Sequence, residues 1–188
     1  EVTKAIVARF MTQGLRVSVT AATGIAGTHI GGCTLMSFFR LYTGAITDCE
    51  RALRHVRSSK KGVPNLLECD VLVIDEVSML NGNHLDVYEY VARNVRGNAC
   101  AFGGIQLIVC GDFLQLPPVT KRGERKNFCF AAESWARCMQ VCIELQQVQR
   151  QSDPTFIDLL RRIRHGQCTG DDAATLRATA RGPGLGLD

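Results

Sequence analysis

The sequence predicts an α/β domain in which a parallel β-sheet is flanked by helices. Two short apolar segments, residues 71–74 and 105–110, each lead directly into polar or glycine residues. Segments with apolar residues at helical spacing lie before, between and after them. Strands that alternate with helices in this way are typical of a parallel sheet with a covered core.

The expected elements follow from this pattern. Strands are expected near residues 16–21, 70–75, 105–110 and 140–145, and helices near residues 2–12, 34–41, 48–57, 84–96 and 154–165. Gly97 is the expected stop of the helix 84–96, whose core side comprises Leu85, Tyr88, Val91 or Ala92, and Val95. In the last helix Asp153 is the expected N-cap and Pro154 the first residue, with an inward face of Phe156, Leu159, Leu160 and Ile163.

A pair of carboxylates follows the first apolar segment. The carboxyl end of a strand in a parallel sheet faces the ligand crevice, and Asp75 and Glu76 lie at that end. There Asp75 would hold Mg²⁺, and Glu76 would orient or deprotonate a water molecule. The alternative is an acidic pair that merely enters a turn, and the pair alone does not distinguish the two.

A second polar segment follows residues 105–110. Gly111 permits a tight turn, and Pro117 and Pro118 stiffen the exit from it. The amide of Gln115 can donate to a phosphate oxygen and accept from water. By itself the segment is more typical of a proline-bounded loop. Beside the carboxylate pair, it indicates that two strands deliver polar groups to one edge of the sheet.

A third segment, residues 17–27, predicts a strand followed by a turn of small residues with hydroxyls at Thr20 and Thr23. In this order the motifs resemble the PIF1 family of superfamily 1B DNA helicases, which move 5′ to 3′ along single-stranded DNA. The resemblance runs from about residue 2 to about residue 181. It rests on Thr20-Ala-Ala-Thr-Gly-Ile-Ala, on residues 30–39, on Ile74-Asp-Glu-Val-Ser-Met-Leu, on Cys110-Gly-Asp-Phe-Leu-Gln-Leu-Pro-Pro-Val, on Leu145-Gln-Gln-Val-Gln-Arg-Gln and on residues 156–166.

The resemblance implies a RecA-like P-loop NTPase domain that uses ATP and Mg²⁺. It implies that Asp75 binds Mg²⁺, that Glu76 positions the attacking water and that Gln115 senses the γ-phosphate. It also implies that Arg150 neutralises charge that develops in the transition state.

The same resemblance implies contacts with single-stranded DNA. Thr20, Thr23 and Gly24 would contact the DNA backbone, and Ser37 and Phe38 would line the path of the strand. The ring of Phe38 could stack on a base, which binds single strands with little regard for sequence.

The sequence contains no Gly-x-x-x-x-Gly-Lys-[Ser/Thr] phosphate loop. In the family this loop precedes a helix that leads into the motif Thr20-Ala-Ala-Thr-Gly-Ile-Ala. The apolar residues within residues 1–11 have the spacing of such a helix. We therefore expect residues 1–181 to be a partial first RecA-like domain, incomplete at the N-terminus, with the phosphate loop upstream and a second motor domain downstream. Residues 182–188 are expected to form a disordered tail.

By resemblance, the expected function is part of an ATP-dependent 5′-to-3′ DNA helicase in DNA repair, recombination and telomere or mitochondrial genome maintenance. Its expected partners are single-stranded DNA, forked duplex DNA and the second RecA-like domain of the same protein, in the nucleus and/or the mitochondrion. The chain alone is expected to hydrolyse negligible ATP. One alternative is a non-catalytic domain that binds single-stranded DNA or a partner. Another is a non-helicase ATPase, against which the spacing of Gly111-Asp-x-x-Gln115 argues.

Composition argues against several other classes of protein. The 188 residues carry a net charge of +4 and are 46% hydrophobic, which suits one domain with a core. No apolar stretch approaches the roughly 20 residues needed to cross a bilayer, and no amino-terminal signal pattern is visible. The nine cysteines lack Cys-x-x-Cys spacing and the four histidines form no group. Reduced thiols and no structural metal are therefore expected.

Basic residues cluster in two further segments. In both, a solvated surface and a contact with DNA phosphates are each consistent with the pattern. The first cluster comprises Arg51, Arg54, Arg57, Lys60 and Lys61. The second lies in residues 120–127, a candidate DNA-facing loop that helps to part a duplex, and comprises Lys121, Arg122, Arg125 and Lys126.

Overall fold

The computed structural model describes residues 2–119 and 127–180. The chain divides into two compact units, Glu1–Cys142 and Ile143–Asp188, of which the first contains the sheet. The predicted tail at residues 182–188 lies outside the described residues, and so does most of the candidate DNA-facing loop, residues 120–126.

A parallel sheet forms the centre of the first unit. Among the described residues it has four strands in the order β2-β1-β3-β4: β1 (Val17–Ala21), β2 (Cys33–Thr34), β3 (Val71–Asp75) and β4 (Gln106–Val109). The register aligns Ala21 with Asp75 and Ile74 with Val109, so that β1, β3 and β4 end at one edge. The predicted α/β fold class and the strands expected near residues 16–21, 70–75 and 105–110 are confirmed.

Helices flank the sheet and connect its strands. In the first unit they are α1 (Val2–Thr12), α2 (Gly24–His29), α3 (Leu35–Phe39), α4 (Cys49–Ser58), α5 (Gly62–Glu68), α6 (Gly82–Arg96) and α7 (Trp135–Cys138). The four helices expected in this unit are confirmed to within two residues at each end. The helices α2, α5 and α7 were not predicted. None of the described helices is long and apolar enough to cross a membrane.

The core of the first unit is built on β3 and α6. Val71 to Ile74 are each at most 1% exposed, as expected for a strand that is covered on both faces. Helix α6 ends at Gly97, which has a left-handed backbone, and its buried side includes the predicted Leu85, Tyr88, Val91 and Ala92. This burial fixes the strand that carries Asp75 at its end.

The strand predicted near residues 140–145 does not form, and that prediction was wrong. These residues form no ladder with any strand in the described part of the chain, and Val141, Ile143 and Leu145 are 80%, 79% and 69% exposed. Apolar alternation gives a strand only where a neighbouring backbone supplies hydrogen bonds. No described backbone does so here.

The second unit contains α8 (Pro154–Arg164) and α9 (Gly170–Ala180). Asp153 caps α8 by accepting from the N–H groups of Thr155 and Phe156, and Pro154 occupies the first turn. Both features agree with the sequence prediction. Helix α9 was not predicted.

The inward face predicted for α8 was wrong in part. Leu159 is buried, but large apolar residues of the same face remain 38%, 41% and 39% exposed, namely Phe156, Leu160 and Ile163. A bidentate ion pair joins α8 to α9, since the Arg162 guanidinium donates to both carboxylate oxygens of Asp172 at 2.9 and 2.6 Å. Asp172 also accepts from the N–H of Thr169 at 2.9 Å.

All nine cysteines are free thiols. Cys69 and Cys129 are buried, whereas Cys33, Cys100, Cys142 and Cys168 are exposed. Burial was expected for several of them, and the two buried thiols behave as small apolar core residues.

Arg96, the last residue of α6, joins three segments of the chain. Its guanidinium donates to the carbonyl oxygens of Leu66, Cys69 and Gly103. Arg96→Met keeps most of the bulk but leaves these acceptors without a donor, so we expect the free energy of unfolding to fall by about 2 kcal/mol. Urea denaturation measures this change. Arg9→Met, at an exposed position of α1, is the matched control, and an equal loss in both variants would contradict the assigned role.

The Arg162–Asp172 pair predicts pH-dependent stability in the second unit. Arg162 holds the pKa of the Asp172 carboxyl well below its usual value. Because this pKa is lower in the folded state, the stabilisation is complete above the unfolded-state pKa of about 3.9 and is lost as the pH falls below it.

We therefore expect Asp172→Asn to lower the melting temperature of α8 and α9 at about pH 7, and the gap from wild type to close between about pH 4 and 2. Circular dichroism at each pH measures the gap. Asp171→Asn is the control from the same helical turn. A gap that stayed constant across this range would contradict the role of the ion pair.

Candidate active site

Asp75 ends β3 and is the first residue of that strand that solvent reaches. Its backbone carbonyl accepts from the N–H of Ala22 at 3.0 Å, which joins the ends of β1 and β3. One carboxylate oxygen accepts from the N–H of Glu76 at 3.0 Å. The described residues form no hydrogen bond to the other oxygen. Asp75 is therefore held at the edge of the sheet with one oxygen available to a ligand.

Glu76 has a left-handed backbone, with φ 53° and ψ 42°. For a residue other than glycine this conformation costs about 1 kcal/mol or more. It turns the chain out of β3 into a 3₁₀ turn, Val77–Met79, in which the N–H of Met79 donates to the Glu76 carbonyl at 3.0 Å. The turn keeps the Glu76 side chain beside the strand end and half-buried.

The turn after the carboxylate pair is fastened to the end of β4. The N–H of Cys110 donates to the Ile74 carbonyl at 2.9 Å, and the N–H of Val77 donates to the Cys110 carbonyl at 2.9 Å. The thiol of Cys129 donates to the Val77 carbonyl at 3.2 Å, and burial raises the pKa of this thiol to about 12. The approach favours glycine at position 111, because a Cβ on Gly111 would lie only 3.0 Å from the Val77 nitrogen.

Gln115 is held by Asp112 in the loop that leaves β4. Its Nε2 group donates to one carboxylate oxygen of Asp112 at 3.0 Å, and the N–H of Leu114 donates to the other at 3.0 Å. Sequence reasoning missed Asp112 as a site residue. The Asp-x-x-Gln spacing could have revealed it, because a carboxylate three residues before an amide can reach that amide within one turn.

Phe113 anchors the same loop and was also missed. Its ring packs edge-on against three aromatic rings at centroid distances of 6.3, 5.0 and 6.1 Å, those of Phe128, Phe130 and Trp135. Aromatic pairs of this geometry stabilise a cluster beyond their buried area. These partners follow the candidate DNA-facing loop in the sequence, so no local pattern could have predicted the contact.

The first unit brings three of the four predicted nucleotide residues to the carboxyl edge of the sheet. Asp75 and Glu76 follow β3, and Gln115 lies exposed in the loop after the neighbouring β4. Arg150 belongs to the second unit, where it is exposed.

The donor groups suit a hard cation that is shared with a phosphate ligand. Mg²⁺ keeps several waters and binds through one or two carboxylates together with phosphate oxygens. Asp75 supplies one such carboxylate. No group of three His, Cys, Asp or Glu side chains within residues 2–119 and 127–180 could hold a metal by itself. The site therefore fits Mg²⁺ that arrives with a nucleotide.

Two of the residues predicted to contact DNA are buried. Thr20 is 0% exposed, and its hydroxyl donates to the Val73 carbonyl at 2.7 Å inside the sheet. Phe38 is 6% exposed and packs edge-on against Phe39, with 5.4 Å between ring centroids. Stacking on a base would require the Phe38 ring to leave the core.

The other predicted DNA contacts lie at the surface of the same sheet edge. Thr23 caps α2 by accepting from the N–H of Ala26 at 3.3 Å, and Gly24 is exposed with open space beside it. Ser37 is exposed and accepts from the Thr34 hydroxyl at 2.8 Å. The turns that carry these residues follow the carboxyl ends of β1 and β2.

The fold and the site together define a RecA-like domain. Its parallel sheet presents a carboxylate pair after β3 and a glycine-led polar loop after β4, both at the edge where such sheets bind ligands.

The chain belongs to the PIF1-like helicase family, which it matches over residues 2–174. It is 49% identical over 163 residues to the ATP-dependent DNA helicase PIF1 of Rattus norvegicus. The aligned segment covers 86% of this chain and 25% of the rat protein. It is 44% identical over 163 residues to the ATP-dependent DNA helicase RRM3 of Saccharomyces cerevisiae. This alignment covers 86% of the chain and 22% of the yeast protein. The chain thus spans about a quarter of the length of these relatives.

Solved structures have the same fold. The crystal structure of the Pif1 helicase from Candida albicans matches with a TM-score of 0.90 at 36% identity, covering 98% of this chain and 42% of that one. The structure of the Bacteroides Pif1 helicase in complex with ADP-AlF3 and ssDNA matches with a TM-score of 0.73 at 37% identity. The match covers 84% of this chain and 38% of the Bacteroides chain. The predicted resemblance in family and in fold is confirmed.

The left-handed backbone of Glu76 predicts an unusual response to glycine. Glu76→Gly relieves the conformation, whereas Glu76→Ala retains it, so we expect the glycine variant to be more stable than the alanine variant by about 1 kcal/mol. In the middle of α4 the order is expected to reverse, with Arg54→Gly less stable than Arg54→Ala by about 1 kcal/mol. Urea denaturation measures both differences. The same sign at both positions would refute the strain at Glu76.

Proposed function

We propose that this chain is the part of an ATP-dependent 5′-to-3′ DNA helicase that positions the attacking water for ATP hydrolysis and contacts single-stranded DNA. The observation that carries the proposal is the Asp75-Glu76 pair at the end of the buried β3, beside the loop with Gln115. Membership of the PIF1-like helicase family supports it, as do relatives named ATP-dependent DNA helicases. A relative bound to ADP-AlF3 and ssDNA supports the choice of ligands.

Asp75 and Glu76 have different roles in this proposal. Mg²⁺ bound through Asp75 supplies positive charge that offsets the charge of the nucleotide phosphates. Glu76 orients the attacking water and accepts a proton from it. The turn after Glu76 is fastened to β4, which limits the positions that this carboxylate can sample.

Gln115 and Arg150 respond to the γ-phosphate. The Nε2 group of Gln115 donates one of its two hydrogens to Asp112, and its second hydrogen can be donated to a phosphate oxygen. Nucleotide binding would thereby be communicated to the loop that Phe113 anchors. Arg150, an exposed cation of the second unit, would neutralise charge that develops in the transition state.

The carboxyl edge also carries the proposed contacts with DNA. Gly24 and Ser37 are exposed there, Thr23 is half-buried, and the three offer hydroxyl and backbone groups to phosphates. The substrate would be single-stranded DNA and forked duplex DNA, in DNA repair, recombination and telomere or mitochondrial genome maintenance, within the nucleus and/or the mitochondrion. A relative described as unwinding forked dsDNA supports the choice of substrate.

Residues 1–181 would act together with other parts of a longer protein. We infer that a phosphate-binding loop precedes this segment and that a second RecA-like domain follows it, with ATP bound between the two domains. The relatives are about four times as long as the matched segment, which leaves room for both. Closure and opening of two such domains around ATP would move the protein along a strand.

Glu76→Gln tests the hydrolytic role in the full-length protein that contains this chain. The amide retains the shape of the side chain but cannot accept the proton, so we expect DNA-stimulated ATP turnover to fall by about 100-fold or more. Nucleotide affinity should stay within about twofold of wild type. Arg150→Ala is likewise expected to lower DNA-stimulated ATP turnover while nucleotide affinity changes little.

Glu133→Gln, a change at an exposed glutamate outside the site, is the matched control. Steady-state ATP turnover and nucleotide binding are measured side by side for each variant. Turnover at the wild-type level in Glu76→Gln would refute the role of this carboxylate, and the same result in Arg150→Ala would refute the role of that cation.

A further inference from the structure

A second charged surface lies on and after α4, away from the carboxylate pair. Residues 51–67 contain five Lys or Arg residues and no Asp or Glu, although the whole chain has a net charge of only +4. Most of these cations are arranged on the outside of the fold. We call Arg51, Arg54, Lys60 and Lys61, all exposed, the α4 basic surface.

The two sides of α4 differ sharply in chemistry. Its inner side is apolar and buries Ala52, Leu53 and Val56. Arg51 and Arg54, three residues apart, are neighbours on the outer side. The rise from Arg51 to the end of the helix at Ser58 is about 10 Å. Lys60 and Lys61 continue the exposed basic surface beyond that end.

No carboxylate in the described part of the chain forms an ion pair with this surface. The ion pairs found there involve other arginines. Nearby acidic residues already have partners: Asp48 is the N-cap of α4, Glu50 accepts from the Tyr90 hydroxyl, and Glu89 pairs with Arg93 and Arg137. The charge of the surface is therefore not balanced within the fold.

Helix stability does not explain these cations either. Arg57, by contrast, lies in the last turn of α4, where a cation is favoured, and donates to the Asn94 carbonyl at 3.4 Å. Arg51 lies in the first turn of α4, where the helix dipole disfavours a cation. Lys60 and Lys61 directly precede α5, whose first turn contains no acidic residue. Arg51 thus opposes the dipole of α4, whereas Lys60 and Lys61 lie between the C-terminus of α4, which favours a cation, and the N-terminus of α5, which disfavours one. The dipoles therefore give these cations little net stabilisation, and an anion from outside the fold would balance their charge.

We propose that the α4 basic surface binds the phosphate backbone of duplex DNA. Contacts from Lys and Arg to phosphates need no particular base sequence, and a rigid row of cations matches the regular phosphates of a duplex. A single strand is bound chiefly by stacking on exposed rings. Beside this surface lies one exposed ring among the described residues, that of Tyr42, which is 48% exposed, accepts from Arg51 through its hydroxyl and packs edge-on against His55 at 5.0 Å. A single ring beside four cations favours contacts with phosphates over a stacked single strand.

The inference rests on the proposed function only for the choice of nucleic acid as the polyanion. Helix α4 packs against α5 and α6, and its surface requires neither ATP nor Glu76. The duplex portion of a forked substrate would bind here, while its single strand would bind at the carboxyl edge. The two contacts can therefore be tested separately.

The test measures DNA binding by the 188-residue chain without nucleotide. Fluorescence anisotropy gives the Kd for a duplex of about 20 base pairs and for a dT strand of about 20 nucleotides, at NaCl concentrations from about 25 to 200 mM. Arg51→Glu/Arg54→Glu is compared with Arg9→Glu/Arg177→Glu. The control changes the net charge equally, at exposed arginines elsewhere.

For Arg51→Glu/Arg54→Glu we expect the slope of log Kd against log salt on the duplex to fall by about 2, and duplex affinity at about 50 mM to fall about tenfold. Affinity for the dT strand should change by less than about threefold, and the control should stay within about twofold of wild type. Circular dichroism checks that each variant is folded. If the glutamate variant is unfolded, Arg51→Gln/Arg54→Gln replaces it, with the same expected decrease in slope.

Three outcomes would overturn the inference: no duplex binding by wild type at about 25 mM salt, an unchanged duplex affinity in the Arg51 and Arg54 variant, or equal losses in this variant and the control. An unchanged duplex affinity beside normal dT binding would leave the proposed function standing. Duplex binding that depends on Arg51 and Arg54, without any dT binding, would support the inference and count against the proposed single-strand contact.

Discussion

The hydrogen bonds that fasten the end of β3 to the end of β4 are the constraint on which the candidate site depends. Cys110 donates to Ile74 and accepts from Val77, so a single residue bridges the strand before the carboxylate pair and the turn after it. The neighbouring Gly111 has no side chain, which allows the two backbones to approach this closely. Without this junction the two polar segments would be independent loops, and surface loops vary in position more than strand ends do.

The same junction explains how Glu76 can keep an unfavourable backbone. A left-handed glutamate persists only where the surrounding structure over-determines it. Here β3 is buried before it, the turn after it is bonded to β4, and the Cys129 thiol bonds the Val77 carbonyl. The core thus offsets a local cost, and the backbone from which the Glu76 side chain extends is held in place.

The sequence allowed the sheet, and the polar segments at its carboxyl edge, to be predicted because both depend on local signals. Unbroken apolar strands, a helix stop at Gly97 and a cap at Asp153 are each visible within a few residues. The predictions at Thr20 and Phe38 are of another kind. Their motif implied contact with DNA, but whether a side chain faces solvent depends on segments distant in sequence, and both residues face the core. The strand expected at 140–145 did not form, since a ladder needs a partner backbone.

The distribution of charge separates the cations that serve the fold from those that do not. Arg162 neutralises a buried aspartate, Arg93 and Arg137 neutralise a buried glutamate, and Arg96 satisfies backbone carbonyls. Each of these arginines has at least one acceptor inside the protein. The cations of the α4 basic surface form no ion pair with a carboxylate among the described residues, and Arg51 also opposes the dipole of α4. These cations differ from other exposed arginines in forming a row on one side of the fold, and a polyanion that binds through its backbone would balance such a row.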